Sequence, residues 1–241
     1  MKRLIQTMAV VVAAFSLVVG CDEADTPSTV EGAGGTGGVE GQGPDAAVEN
    51  PEADAAVEAP DGALDSPDAS EAELDLNDEI IGLLFVREEE KLARDVYLHL
   101  AEVWEIQTFS NIARAEQTHM DAVLAHLVAL GMDDPAEGNG PGVFTDVDIQ
   151  GLYDDLTEQG EASPAAALTV GAFVEEYDIL DLIMRSEEAT NQDVIDTYAQ
   201  LERGSESHLR AFVRGLDGEG MVYAPVLMEQ AAYDAIIAGG R

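Results

Sequence analysis

One stretch constrains the fold more than any other: Phe109-Ser-Asn-Ile-Ala-Arg-Ala-Glu-Gln-Thr-His-Met-Asp-Ala-Val-Leu-Ala-His-Leu127. Phe109, Ile112, Ala113, Met120, Val123, Leu124 and Leu127 recur at helical spacing and define a buried stripe. Glu116 and His119 lie on the same face, one turn apart, so their side chains stack. A carboxylate and an imidazole inside an apolar stripe are costly unless they are paired, hydrogen-bonded or bound to a metal. This helix therefore needs polar partners from other helices. His126 keeps nearly the same angle, but at the helical rise it lies roughly 10 Å further along the axis. That is too far to share an ion with His119, and His126 reads as a half-exposed boundary residue.

Three other long helices follow from the pattern. The first runs from about Leu76 or Glu79 to Trp104, with Leu83, Val86, Leu92, Ala93, Val96, Tyr97, Leu100 and Val103 on its apolar face. Glu88, Glu89 and Glu90 interrupt that face. By angle Glu89 is nearest its centre, Glu90 is on its edge and Glu88 points outward. Since a charge run is usually a solvated face, one or two of the three at most are expected inside. Only Glu105-Ile-Gln-Thr108 separates this helix from the next, which implies antiparallel neighbours, and Gly131 is a natural stop.

A long crossover follows, with turns at Asp133-Asp-Pro and Gly138-Asn-Gly-Pro-Gly142 and a small helix over about Asp146 to Glu158. Ser163-Pro164 starts the third long helix, which runs to about Met184. There Glu176 is near the edge of the apolar face, Glu175 nearly opposite it, Asp181 marginal and Asp178 further away. Thr190-Asn-Gln-Asp193 resembles a capping box opening the fourth, which carries His208 on its inward half to about Leu216. Residue 205, one turn before that histidine, is Ser, and Glu202 and Glu206 do not replace it geometrically. A short apolar helix, Leu227 to Ile237, is expected to pack across the bundle.

The beginning of the chain is of another kind. Met1-Lys-Arg is followed by an apolar run, Leu4 to Val19, and then Gly20-Cys21, the pattern of a secretory signal. Leu17-Val18-Val19-Gly20-Cys21 resembles a bacterial lipobox, which implies cleavage before Cys21 and a lipid anchor on it. Cys21 is the single cysteine, so no internal disulfide is expected. Residues 22–75 are rich in Gly, Ala, Pro, Asp and Glu, and no Lys or Arg occurs between Arg3 and Arg87. Such a segment buries too little surface to offset its ordering entropy and reads as an acidic disordered tether. The net charge of −38 argues against a nucleic-acid partner. The expected domains are thus 1–21 (signal), 22–75 (tether), 76–218 (helical domain) and 219–241 (C-terminal segment packing on it). The expected location is the cell envelope, with the membrane as partner through lipidated Cys21.

Four blocks carry a resemblance to a known family: Glu88-Glu-Glu-Lys-Leu-Ala-Arg-Asp-Val-Tyr97, Glu116-Gln-Thr-His119-Met-Asp-Ala-Val, Gly171-Ala-Phe-Val-Glu-Glu-Tyr-Asp-Ile-Leu-Asp-Leu182 and Arg203-Gly-Ser-Glu-Ser-His-Leu-Arg-Ala-Phe212. Together, over roughly Ile80 to Gly218, they resemble the bacterial and archaeal ferritin-like family catalogued as DUF2202. The resemblance implies an all-α fold, a ferritin-like antiparallel four-helix bundle. A long crossover would join helices two and three, and a short helix would end the chain. Glu-x-x-His facing inward is the ligand unit of such bundles. By likeness to rubrerythrin and bacterioferritin, which hold two iron or manganese ions, the implied ligands are Glu90, Glu116, His119, Glu176 and His208. Glu89, Glu175 and Glu202 stand in reserve, and Tyr97, Ser205 and Asp121 would support them. Ser205 stands where a second Glu-x-x-His would have its Glu, so a symmetric two-ion site is incomplete at that position.

The functional expectation is a di-iron or di-manganese centre reacting with oxygen or peroxide, in metal oxidation or peroxide defence of ferroxidase or peroxidase type. No Cys-x-x-Cys pair and no flavin or dinucleotide motif is present, so a peroxidase would draw on an external electron donor. The alternative is a non-catalytic metal-binding or protein-interaction module with an incomplete site. A homodimer is compatible with either.

Overall fold

The computed structural model describes residues 69–239. The signal segment with Cys21, and the acidic stretch as far as residue 68, lie outside the described residues. Among those described, all regular structure is helical: α1 (Ala69–Trp104), α2 (Gln107–Ala129), α3 (Val147–Gly160), α4 (Pro164–Glu188), α5 (Gln192–Gly218) and α6 (Gln230–Ile237). The all-α bundle is thus as expected, although α1 begins at Ala69, seven residues earlier than Leu76.

Local chemistry sets the helix ends. Asp146 caps α3 by accepting from Asp148 N and Ile149 N at 2.8 and 3.2 Å. Ser163 caps α4 by accepting from Ala166 N at 3.0 Å, with Pro164 at the first helical position, where its missing N–H costs nothing. Gly131, at φ 71°, closes α2: its N–H donates to Val128 O and that of Met132 to Leu127 O, the paired bonds of a Schellman stop. The cap of α5 is Asn191, not Thr190, because Asn191 Oδ1 accepts from Asp193 N at 2.9 Å. The free N–H groups of Thr190 and Asn191 donate instead to Glu79 of α1. The last helix begins at Gln230, three residues later than Leu227.

Four helices close a ring in which α1 packs on α2 and α4, and α5 completes it against α2 and α4. Cross-helix pairs give the directions. Tyr97 meets Gly171 and Glu79 meets Thr190, so α1 and α4 are antiparallel. Phe109 meets Phe212 and His126 meets Thr197, so α2 and α5 are antiparallel too. Hence α1 and α5 share one direction, and α2 and α4 the other. The α2–α4 connection must therefore return along the length of the bundle, and it carries α3, which packs on α1 and α4.

That crossover explains why the charge run on α1 is not a solvated face. Glu88, Glu89 and Glu90 are 4, 3 and 1% exposed, and Lys91 is 1% exposed. Glu88, expected outward, accepts from Thr145 N and Asp146 N of the crossover. Lys91 pairs with Asp95 at 2.5 Å and donates to the carbonyls of Gly140 and Val143. Arg87 pairs with Asp134 at 2.8 Å. Burial of Glu88, Lys91 and Arg87 is tolerable because each is paired or hydrogen-bonded across to the crossover or along α1.

The apolar core has two parts. One surrounds Tyr97, Phe109, Phe173 and Phe212; the other joins Leu83, Val86, Val123, Leu127, Leu182, Val194, Tyr198 and Leu201. On α1, α2 and α5 ionisable residues fall between the two, and on α4 Glu175, Asp178 and Asp181 fall near their junction. They form a polar layer across the middle of the bundle.

Candidate metal centre

Each helix of the ring contributes to that layer. Glu116, on α2, is its hub: Oε2 is 2.9 Å from His119 Nδ1 and Oε1 is 2.9 Å from His208 Nδ1. Glu90, on α1, approaches His119 Nδ1 at 3.2 Å through Oε2. Glu175, on α4, approaches His208 Nδ1 at 3.5 Å through Oε2 and accepts the Tyr97 hydroxyl on Oε1 at 2.6 Å. Two trios result, Glu90–Glu116–His119 and Glu116–Glu175–His208, each with its donor atoms within 4.8 Å of one another. Glu116 belongs to both.

The carboxylate side chains are 1–2% exposed and both imidazoles 12%. The two rings stack with centroids 5.6 Å apart, on the side where α2 faces α5. Gly204 makes room for them: a Cβ there would lie 2.6 Å from His119 Nε2.

Electrostatics follow from this enclosure. Burial opposes charge on His119, but Glu90 and Glu116 overcome it and push the imidazole up to about 12. Burial is likewise outweighed at His208 by Glu175 and Glu116, which push it up to about 10. Glu116, against its own burial, is pulled down to about 2 by His208 and His119. Burial, then repulsion from Glu116, pushes Glu175 up to about 7. Glu90 is also raised, by burial first and against the pull of His119. Without an ion, the donors therefore neutralise one another as imidazolium–carboxylate pairs.

The pairing is incomplete, and this is the structural test of whether the donors fit a metal. Glu90 Oε1, Glu116 Oε1 and His208 Nδ1 are buried without a hydrogen-bond partner. The 2.9 Å approach of Glu116 Oε1 to His208 Nδ1 is thus an ion-pair distance without hydrogen-bond alignment. Buried polar atoms left unpartnered are rare and costly. Oxygen and imidazole donors converging from four helices suit iron, manganese or zinc, and the residues fit a pair of such ions.

Most of the sequence-expected residues meet here. Glu90, Glu116, His119 and His208 do, and Tyr97 reaches the site through Glu175. Glu176 does not. Its carboxylate accepts the Tyr223 hydroxyl at 2.6 Å, Val226 N at 2.9 Å, Met228 N at 2.6 Å and Leu227 N, anchoring the segment after α5. The reserve residue Glu175 takes the inward place. The angle estimate failed because α4 is buried nearly all round by α1, α3, α5 and the C-terminal segment, so its apolar face does not mark the bundle axis.

Glu89 is buried beside Asp181, Asp178 and Arg185, with neither oxygen hydrogen-bonded, and belongs to neither trio. Glu202 is buried and also outside both. Asp121 is exposed and accepts from Gln117 at 2.8 Å. Asp178, expected to point away, is buried and bonded to Ser205. The signal that could have revealed it is its spacing from Glu175, three residues along α4.

Comparison with known proteins gives the same family as the sequence blocks. The family model described as "Uncharacterized protein domain (DUF2202)" matches residues 79–240. An uncharacterised protein of Methanocaldococcus jannaschii, MJ0754, is 45% identical over 156 residues, which is 65% of this chain and 84% of that protein. The crystal structure of hypothetical protein MJ0754 from Methanococcus jannaschii superposes with a TM-score of 0.66 at 40% identity, covering 76% of this chain and 98% of that one.

Proposed function

The chain belongs to the DUF2202 family, and we propose that this member holds a pair of iron or manganese ions in the middle of its bundle. The observation behind this reading is Glu116, whose two oxygens each stand 2.9 Å from the Nδ1 of a different histidine. Glu90, Glu116 and His119 would hold one ion; Glu116, Glu175 and His208 would hold the other. Such a pair, when bound, supplies electron transfer to dioxygen or peroxide.

The chain's own residues would set the conditions for that chemistry. Burial excludes bulk water from Glu90, Glu116 and Glu175. The Tyr97 hydroxyl occupies one oxygen of Glu175 and turns the other toward His208. The two imidazoles are the most exposed donors, so a molecule the size of dioxygen or peroxide would enter beside them, along the seam of α2 and α5. On this reading the protein is a ferritin-like oxidoreductase of ferroxidase or peroxidase type, served by an external electron donor. Lipidation of Cys21 would hold it at the membrane in the cell envelope.

The test is anaerobic loading of the full-length chain with Fe(II), followed by dioxygen or hydrogen peroxide. Stoichiometric consumption of oxidant by the loaded chain, lost in Glu116→Ala, is expected. Ions retained without oxidant consumption would favour a metal-binding module without turnover, the reading to which Ser205 lends weight.

A further inference from the structure

Ser205 stands one turn before His208, where a second Glu-x-x-His would have its Glu, and it is bonded to a carboxylate of another helix. Ser205 is fully buried, and its hydroxyl donates to Asp178 Oδ2 at 2.5 Å, with the Leu201 carbonyl 3.1 Å from Ser205 Oγ. Asp178 is on α4, three residues and one turn beyond Glu175, so the two carboxylates stack on one face. It is 4% exposed, and its Oδ1 has no hydrogen-bond partner. Burial first, then Glu90 and Glu175, and after Ser205 also Glu116, act on its ionisation. Asp178 therefore feels ligand carboxylates from three helices. It lies outside both trios, and its unpartnered Oδ1 is the atom free to take an ion.

Charge balance points the same way. Two divalent ions carry four positive charges, whereas Glu90, Glu116 and Glu175 supply three negative ones. With neutral imidazoles as ligands, those three leave one positive charge for a further buried carboxylate to offset, and Glu89 and Asp178 are the two that lie beside the ligands, Asp178 alone being fixed by a hydrogen bond. A fourth carboxylate cancels it.

We propose that Asp178 is the fourth carboxylate of the centre, binding through Oδ1 while Ser205 holds Oδ2. The serine is then no defect in the ligand set, but the group that orients its replacement. This rests on the two-ion reading and is tested so that the two can fail separately.

The full-length chain, Asp178→Asn and Ser205→Ala are each loaded anaerobically with Mn(II). Bound ions are counted by elemental analysis, free Mn(II) by electron paramagnetic resonance, and folding by far-ultraviolet circular dichroism. Asn keeps the shape of Asp, so the bundle is expected to fold. The parent should bind two ions. Asp178→Asn should hold only one, or the second at least tenfold more weakly, and Ser205→Ala should weaken the second ion by a smaller factor. Two ions of parental affinity in both variants would overturn the role of Asp178 and leave the two-ion reading intact. No ion in the folded parent would overturn the two-ion reading itself.

Discussion

Glu175 and Glu176 are adjacent in the chain, yet their carboxylates do different jobs. The first accepts from Tyr97 and faces His208 in the bundle interior; the second accepts three backbone N–H groups and the Tyr223 hydroxyl. One is held by a single hydrogen bond beside atoms that lack partners, the other is saturated. The pair separates a candidate ligand from a scaffold residue within one helical turn.

Their substitutions should separate in the same way. Glu176→Gln replaces an acceptor of four hydrogen bonds by a group that cannot accept on both atoms, at a cost on the order of 1–3 kcal/mol. It is expected to lower Tm and loosen the segment after α5, read by amide hydrogen exchange at Val226–Met228, while leaving the metal count unchanged. Glu175→Gln should reduce the metal count and leave exchange in that segment as it was. The opposite pattern would mean that the two roles are misassigned.

Gly204→Ala should destabilise, against the usual trend. In a helix interior, Gly→Ala ordinarily gains roughly 0.5–1 kcal/mol. Here the added Cβ meets the His119 ring at 2.6–2.7 Å. The imidazole must shift from its place beside Glu90 and Glu116, so both Tm and retained metal are expected to fall. A Tm above that of the parent with full metal binding would show that His119 has room to shift.

The metal-free chain should lose stability in alkali. His119 and His208 are raised from 6.5 to about 12 and about 10 in the folded state. Groups raised on folding stabilise fully below their unfolded value and lose that contribution as pH rises through the folded one. The Tm of the metal-free chain should therefore fall from about pH 6.5 to beyond pH 10. Ions displace those imidazole protons, so metal affinity should rise over the same interval and binding should release protons, measurable by calorimetry in buffers of different ionisation enthalpy. A metal-free Tm that does not fall across this interval would contradict the imidazolium–carboxylate pairing.

Much of this arrangement is legible in the sequence, because α2 is amphipathic. Its apolar stripe is narrow, so Glu116 and His119 stand out on it, and two-residue and three-residue links force their neighbours antiparallel. The inward placement of His208 follows from the periodicity of its helix, and that of Glu90 from the family resemblance at the matching motif. Where a helix is buried on several sides, angular reasoning fails: α4 touches three helices and the C-terminal segment, and Glu175, Glu176 and Asp178 are all buried on it for different reasons. Glu88 was likewise unreadable, since its partners Thr145 and Asp146 are nearly sixty residues away in a crossover whose path no local pattern records.

The most direct measurement is the number of ions per chain after anaerobic loading with Fe(II) and removal of free metal, compared with Glu116→Ala combined with His119→Ala. Glu116 belongs to both trios, so the double variant disables both. About two ions in the parent and essentially none in a folded variant are expected. No retained ion in the folded parent would contradict the metal centre and leave the layer as a set of buried ion pairs.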